Sequence, residues 1–505
     1  MNLLAAFDSA VRKDTEKTFI RFEGRSISYG EMKDRSHIAA GLLAANGVVA
    51  GDAVALMCLN TPAFVEALLG SWRVAATVVP VNHKLQAPEL EYILRHSGSK
   101  VLVFDASLAG VVSAVDAPIK TLTTSGTTSS GSFDGLMREV AAAQGNEPDD
   151  DALAEILYTS GTTGKPKGCM LTHRSVAFAA ITVALGLSIT RDERTLIAMP
   201  IWHSSPLNNW FGATLYVGGT VVLLREYEPR KFLETVQTEK VTFCFGAPIS
   251  YTAPLQLDDF DSFDLSSVRA WVYGGGPISI DVARRLAARY RSDHFYQVYG
   301  MTETGPVGTA LYPEEQVAHA GSIGRSALPG VDLRLVREDG EDAVRGESGE
   351  IWMRGDSMMT GYLNDETATK AAFAEGRWYR TGDLARLDND GYLFIVDRLK
   401  DMIITGGENV YSKEVEDALA QHPSIADVAV FAVPHESWGE TVAAEIVTNP
   451  SETLTLEDVS RYLEGRLARY KIPRLVYFSE RLPHTPTGKV QKFVLRENRR
   501  SENGV

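Results

Sequence analysis

Tyr158–Gly168 reads YTSGTTGKPKG: hydroxyls at Thr159, Ser160, Thr162 and Thr163, glycines at Gly161, Gly164 and Gly168, and lysines at Lys165 and Lys167. Small residues let the backbone approach an anion, and the N–H, hydroxyl and ammonium groups then supply the donors, so the string has the chemistry of a phosphate cradle. It is not the Walker A loop, because proline follows Lys165 where that loop has serine or threonine. Ser125–Gly131, SGTTSSG, copies the first half without a lysine and reads as a surface loop.

A second string, Tyr299–Gly305 (YGMTETG), offers a flat ring for a purine, the Thr302 hydroxyl for a phosphate oxygen and the Glu303 carboxylate, a hard oxygen ligand suited to Mg²⁺. Gly274, Gly275 and Gly276 in YGGGP follow a buried-strand pattern, where missing side chains allow a ligand to lie against bare backbone. Asp383 in YRTGD can accept hydrogen bonds from two neighbouring hydroxyls, and Lys489 sits in a polar turn, HTPTGKVQK.

Six strings stand in the order YTSGTTGKPKG, YGGGP, YGMTETG, YRTGD, DRLKDMIITGGEN and PTGK, from residue 158 to 489. Together they resemble the signatures of adenylate-forming (ANL) enzymes, the superfamily of acyl-CoA synthetases, peptide-synthetase adenylation domains and luciferases. The resemblance implies an acid–CoA ligase that uses ATP and Mg²⁺ to make an acyl-adenylate and then passes the acyl group to coenzyme A. It places Thr159, Ser160, Gly161, Thr162, Thr163, Gly164 and Lys167 on the phosphates, Tyr299 on adenine, Gln297 at the adenine edge, and Gly274–Gly276 between nucleotide and acyl pocket. Asp383 and Arg398 fall on the ribose, Glu303 on the metal with Thr302 beside it, and Lys489 at the α-phosphate as electrostatic catalyst. His203, Phe245 and Met301 line or gate the acyl site. Lys400 takes the hinge position and Gly407 the loop that lines the pantetheine channel. Many relatives carry alanine or serine at the third glycine, so Gly276 points to an enlarged acyl site and a medium- to long-chain aliphatic or an aromatic acid.

These residues need a scaffold. Up to about residue 120, β-branched runs such as Val54–Leu59 and Val101–Phe104 alternate with helical patterns such as Ala63–Ala75, the signature of βαβ units around a mostly parallel sheet. Val241–Phe245 and Val268–Tyr273 repeat it, the second followed by a predicted helix over Ile280–Tyr290 with arginines outward. From about Gly321 to Val396 short strands such as Gly349–Met353 and Gly391–Val396 predict a small β-rich, barrel-like subdomain. Beyond lie a helix from Ser412, strands Val428–Val433 and Ala443–Val447, and a helix capped by Thr455 with Asp458 three residues on. The fold class is therefore α/β: an N-terminal domain over 1–399 and a smaller, mobile α+β domain over 400–505. Thr123–Gly131 and Asn146–Asp151 read as loops, and Glu497–Val505 as a fraying end.

Composition narrows the partners. With 505 residues, 44 % apolar and 23 % charged, the chain has ample core for two or more units. The balance of 50 − 65 = −15 repels phosphate polymers, so nucleic acid is excluded as a partner and anions must be met by local cations. Cys58, Cys169 and Cys244 fit neither a disulfide framework nor a metal knuckle, which suits a reducing cytoplasm. Val176–Leu187 is the most apolar stretch and falls short of the ~20 residues of a membrane span. A homodimer is permitted but not specified. Two competing readings are an enzyme that loads a carrier protein and a non-catalytic nucleotide sensor. The stop sixteen residues after Lys489, with no carrier domain following, favours free CoA over the first, and intact Lys489 and Glu303 oppose the second.

Overall fold

The computed structural model describes residues 2–124, 133–137, 140–143, 148–159, 165–276, 278–405, 408–435, 438–450, 452–484 and 490–502. By contact density the chain divides into two units, one of 1–333 with 353–379 and one of 334–352 with 380–505.

The larger unit holds two α/β sheets. One has eight strands among the described residues, in the order Thr309–Leu311, Phe295–Tyr299, Ala270–Gly274, Phe243–Gly246, Arg194–Ile197, Thr220–Leu223, Thr18–Phe22 and Arg25–Ser28. Its six inner strands run parallel, and the two edge strands are antiparallel. The other has seven: Gly361–Tyr362, Lys167–Thr172, Leu153–Thr159, Thr77–Pro80, Ala53–Met57, Ser99–Asp105 and Lys120–Thr124. Strands in such sheets are buried on both faces, which is why Ala53–Met57 and Ala270–Gly274 read as continuous apolar runs.

The predicted strands appear with ends shifted by one to four residues, the largest at Ala443–Val447, which begins at Gly439. The predicted helix Ile280–Tyr290 appears with those bounds, burying Ala283, Leu286 and Tyr290 and leaving Arg284 and Arg285 exposed. Under the glycine-rich turn lies an aromatic box. Trp271 and Tyr290 meet edge-on at 4.9 Å, Tyr251 crosses Tyr290 at 84°, and the Tyr251 hydroxyl donates to the Val272 carbonyl at 2.7 Å. Aromatic pairs add about 0.5–1.5 kcal/mol each beyond the area they bury, so the strand ending at Gly274 stands on a stiff base.

A β-rich sheet orders Val331–Val336, Ser348–Gly355, Trp378–Leu387 and Phe373–Ala374, with Leu393–Arg398 also on Trp378–Leu387. The smaller unit carries a second five-stranded sheet in which Ile425–His435 and Gly439–Thr448 pair along ten positions. The helices Ser412–Leu419 and Leu456–Leu463 stand where the sequence places them, the latter with the Thr455–Asp458 capping box formed.

Two expectations of irregular structure are overturned in part. Thr123 and Thr124 belong to the strand Lys120–Thr124, because the neighbouring strand runs on to Asp105 and extends the ladder. Ser125–Gly131 lies outside the described residues. Of the end expected to fray, residues 497–502 instead belong to the helix Lys492–Glu502, held by buried Leu495 and by arginines that reach acidic partners, Arg496 to Asp401 and Arg499 to Glu445; residues 503–505 lie outside the described residues. No helix of the described residues is long and apolar enough to cross a membrane.

Candidate active site

Strand Leu153–Thr159 lies antiparallel to Lys167–Thr172, with Thr159 opposite Lys167. Ser160, Gly161, Thr162, Thr163 and Gly164 lie outside the described residues, but the strands on either side of them fix both ends of the string. Gly168 is buried with no room for a side chain, since a Cβ there would come within 2.8 Å of Ile156. The Lys167 ammonium sits 5.0 Å from the centroid of the Tyr362 ring, whose hydroxyl donates to Glu303 Oε1 at 3.2 Å. Cys169, fully buried one strand position from Gly168, is acted on by Thr159 and Glu303 together; burial first, and then the Glu303 charge, push its thiol up. One aromatic ring thus bridges the cation of the first string and the acid of the second.

The YGMTETG string begins at the end of strand Phe295–Tyr299 and folds into a single tight turn over Thr302–Thr304. Met301 N–H donates to Thr304 Oγ1 at 3.1 Å, and Ser357 and Met359 tie down the carbonyls of Thr304 and Glu303 at 2.8 and 2.9 Å. Gly305 takes a φ of +83°, where a side chain would meet the backbone of Ser357. Glu303 and Thr302 are held half-buried on a turn with little freedom, and among the described residues Glu303 belongs to no cluster of three or more acidic, histidine or cysteine ligands. A single carboxylate with a neighbouring hydroxyl suits Mg²⁺, which takes one or two protein oxygens and fills its shell from water and phosphate. Tyr299 is half-buried beside this turn. Gln297, expected at the adenine edge, is 2 % exposed and accepts from the Tyr273 hydroxyl at 3.2 Å, so in this arrangement its side chain packs beneath the strand end.

The three consecutive glycines divide by role. Gly274 is packed, with a Cβ position 3.1 Å from Val298 and 3.4 Å from Phe245. Gly275, at φ +82°, and Gly276 would meet nothing within 4 Å. Open space therefore begins where the strand ends, at the carboxyl edge of a parallel sheet, where α/β folds bind ligands. Phe245 stacks on fully buried Trp210 at 4.9 Å and 25°, giving an aromatic wall next to Gly274.

Trp210 belongs to a seven-residue π-helix, Ser205–Phe211, a rare form that marks functional segments. His203 sits just before it, half-buried, its carbonyl accepting from Leu207 N–H and its ring 5.6 Å from Trp202. Two anchors that the sequence did not reveal position this segment. Buried Asn60 reaches the carbonyls of Ile197, Met199 and Leu224 at 2.9–3.2 Å and accepts from Ile201 N–H. Ser204 Oγ lies 3.0 Å from Thr302 Oγ1, joining the His203 segment to the turn that carries Glu303. Asn60, Ser204 and Tyr362 stand outside the six strings, and only the tertiary fold brings them in.

In the smaller unit, Asp383 and Arg398 face each other on paired strands, with Arg398 Nε 3.0 Å from Asp383 Oδ1. Gly382 N–H donates to Glu350 and Thr381 Oγ1 to the Ile351 carbonyl, fixing the turn before Asp383. Lys400 is exposed on a tight turn in which the Arg398 carbonyl accepts from Asp401 and Met402 N–H at 2.9 and 3.0 Å. Gly407 and Lys489 lie outside the described residues; Thr405 and Glu408 pair across the first, and His484 and Val490 across the second.

Comparison with known proteins agrees along the whole chain. The AMP-binding enzyme family matches residues 7–363, and the AMP-binding enzyme C-terminal domain matches 414–489. A feruloyl-CoA synthase of an Amycolatopsis species is 37 % identical over 492 residues, covering 96 % of each chain. Long-chain-fatty-acid–CoA ligase FadD13 of Mycobacterium tuberculosis is 36 % identical over 476 residues, covering 93 % of each. The crystal structure of ATP-bound MatB from Rhodopseudomonas palustris superposes with a TM-score of 0.87 at 32 % identity, covering 99 % of both chains. The chain belongs to the AMP-binding enzymes of the adenylate-forming superfamily, and within them to the AMP-forming acyl-CoA ligases.

Proposed function

We propose that this ligase activates a bulky apolar carboxylic acid, aryl or medium- to long-chain aliphatic, and transfers it to coenzyme A. The observation that carries this reading is the bare backbone at Gly275 and Gly276, where a side chain would meet nothing within 4 Å, directly after Gly274 with its neighbour Phe245 stacked on Trp210. A feruloyl-CoA synthase and a long-chain fatty-acid ligase among the relatives are consistent with it.

Two anions must meet in the first half-reaction. The acid's carboxylate oxygen bonds to the α-phosphorus of ATP, and the bond to pyrophosphate breaks. Thr159, Ser160, Gly161, Thr162, Thr163, Gly164 and Lys167 take the phosphates, Tyr299 the adenine, with Gln297 supporting its strand, and Asp383 with Arg398 the ribose. Glu303 would hold Mg²⁺ with Thr302 beside it, and the metal when bound would supply charge compensation for the triphosphate. Lys489 adds a positive charge where charge shifts in the transition state, which lowers the barrier more than it stabilises separated reactants.

In the second half-reaction the domain beyond Lys400 turns about that residue, withdrawing Lys489 and presenting Gly407 to the pantetheine arm. The thiol then displaces AMP from the acyl carbon. His203 and Met301 gate the passage between the two halves of the site. A panel of acids assayed by pyrophosphate and thioester formation tests the specificity: ferulate, indoleacetate and fatty acids should lead, and a preference for acetate or malonate would refute it.

A further inference from the structure

The hinge residue lies beside a buried polar network that no step above uses. Asp397, 5 % exposed, accepts from the Ser412 N–H and, at 3.0 Å, from the Ser412 hydroxyl. That hydroxyl in turn accepts from the Lys492 ammonium at 2.6 Å, and Lys492 also pairs with Glu416 at 2.8 Å. Glu416 is fixed from its other side by the Val430 N–H. One cation therefore serves the buried Asp397 through the Ser412 hydroxyl and the half-buried Glu416 directly. A separate pair joins Arg496 to Asp401 at 2.8 Å.

Their order along the chain gives the network its meaning. Asp397 precedes Lys400, whereas Ser412, Glu416 and Lys492 follow it, and Lys492 opens the helix that begins three residues after Lys489. A large φ/ψ change at Lys400 would carry Ser412 and Lys492 away from Asp397. Arg496 and Asp401 both follow the pivot and would travel together.

We propose that Asp397, Ser412 and Lys492 form a latch across the hinge, closed in one of the two domain orientations and open in the other, so that these positioning residues set the balance between the half-reactions. This rests on the hinge and the division of labour proposed above. An interaction present in only one state shifts the equilibrium by its full net strength, and a charge-assisted hydrogen bond is worth enough for about a tenfold shift or more.

The test measures the two half-reactions separately in the full-length enzyme, adenylation by acid-dependent pyrophosphate exchange and thioester formation from supplied acyl-AMP. Ser412→Ala and Asp397→Asn should change the ratio of the two rates by about tenfold in the same direction, Ser412→Thr should restore it, and Arg496→Met should leave it unchanged. Equal losses in both half-reactions for Ser412→Ala and Asp397→Asn, beside a Lys400→Pro variant whose two steps respond differently, would overturn the latch alone. Unchanged kinetics in Lys400→Pro would overturn the hinge and the latch with it.

Discussion

Replacing Gly276 by leucine separates the acyl cleft from the rest of the fold. A Cβ at 276 would touch no heavy atom within 4 Å, and the residue does not sit in the left-handed region, so the backbone accepts a side chain without strain. At a compatible glycine the loss of unfolded-state freedom even favours the folded protein, by about 0.4–1 kcal/mol for alanine. The leucine carbons would occupy the space assigned to the acyl group. A single methylene in an apolar pocket is worth about 1–3 kcal/mol, or roughly 10–200-fold in kcat/KM, so several should exclude a bulky acid by about 100-fold or more. Pyrophosphate release over an acid series reads the effect, with thermal unfolding as control. We expect an unchanged Tm, loss of activity on ferulate and long-chain acids, and little change on the shortest acids. An unaltered ranking would show that the open space at Gly276 is not where the acid binds. Gly275→Ala is the counterpart: at φ +82° it should cost about 1–2 kcal/mol of stability.

Three further outcomes follow from named contacts. Tyr362→Phe removes the hydroxyl that donates to Glu303 at 3.2 Å and should lower adenylation by roughly tenfold, the scale of a hydrogen bond to a charged group, with thioester formation from acyl-AMP less affected. Asp383→Ala should raise the KM for ATP and largely abolish the discrimination between ATP and its 2′-deoxy analogue, a double-mutant cycle in which additivity would remove Asp383 from the ribose. Glu155, fully buried, is pushed up to about 8 by burial, with the neighbouring Asn208 side chain acting to lower it. Because its folded-state pKa exceeds the unfolded value, folding favours the proton; stability contributed at low pH is lost as pH rises toward 8, at up to about 1.4 kcal/mol per pH unit. Thermal unfolding of Glu155→Gln against the native chain should therefore show a gap that widens between pH 5 and 8 in favour of glutamine.

The ligand strings were legible because their chemistry is local. A phosphate cradle needs hydroxyls, glycines and lysines within a few residues, and Thr159 to Lys167 supply them in one stretch. Helix Ile280–Tyr290 was legible because its apolar residues repeat at helical spacing over three turns. Strand order was not: Thr18–Phe22 lies beside Thr220–Leu223, two hundred residues on, and no local pattern encodes such a pairing. The π-helix at Ser205–Phe211 carries no periodicity of its own, and Ser204, Asn60 and Tyr362 gain their places only when distant strands converge. Polar composition predicts a solvated tail from Glu497, whereas Arg499 within it ends on the buried carboxylate of Glu445, a partner that only the tertiary fold supplies.

The route of one oxygen atom tests the acyl-adenylate most directly. With the acid labelled with oxygen-18 in its carboxylate, a single turnover should deliver one labelled oxygen to AMP and none to pyrophosphate, because the carboxylate attacks the α-phosphorus and the thiol later breaks the acyl–oxygen bond. Label in orthophosphate, with ADP as the nucleotide product, would contradict the acyl-adenylate and the roles assigned to the residues around it.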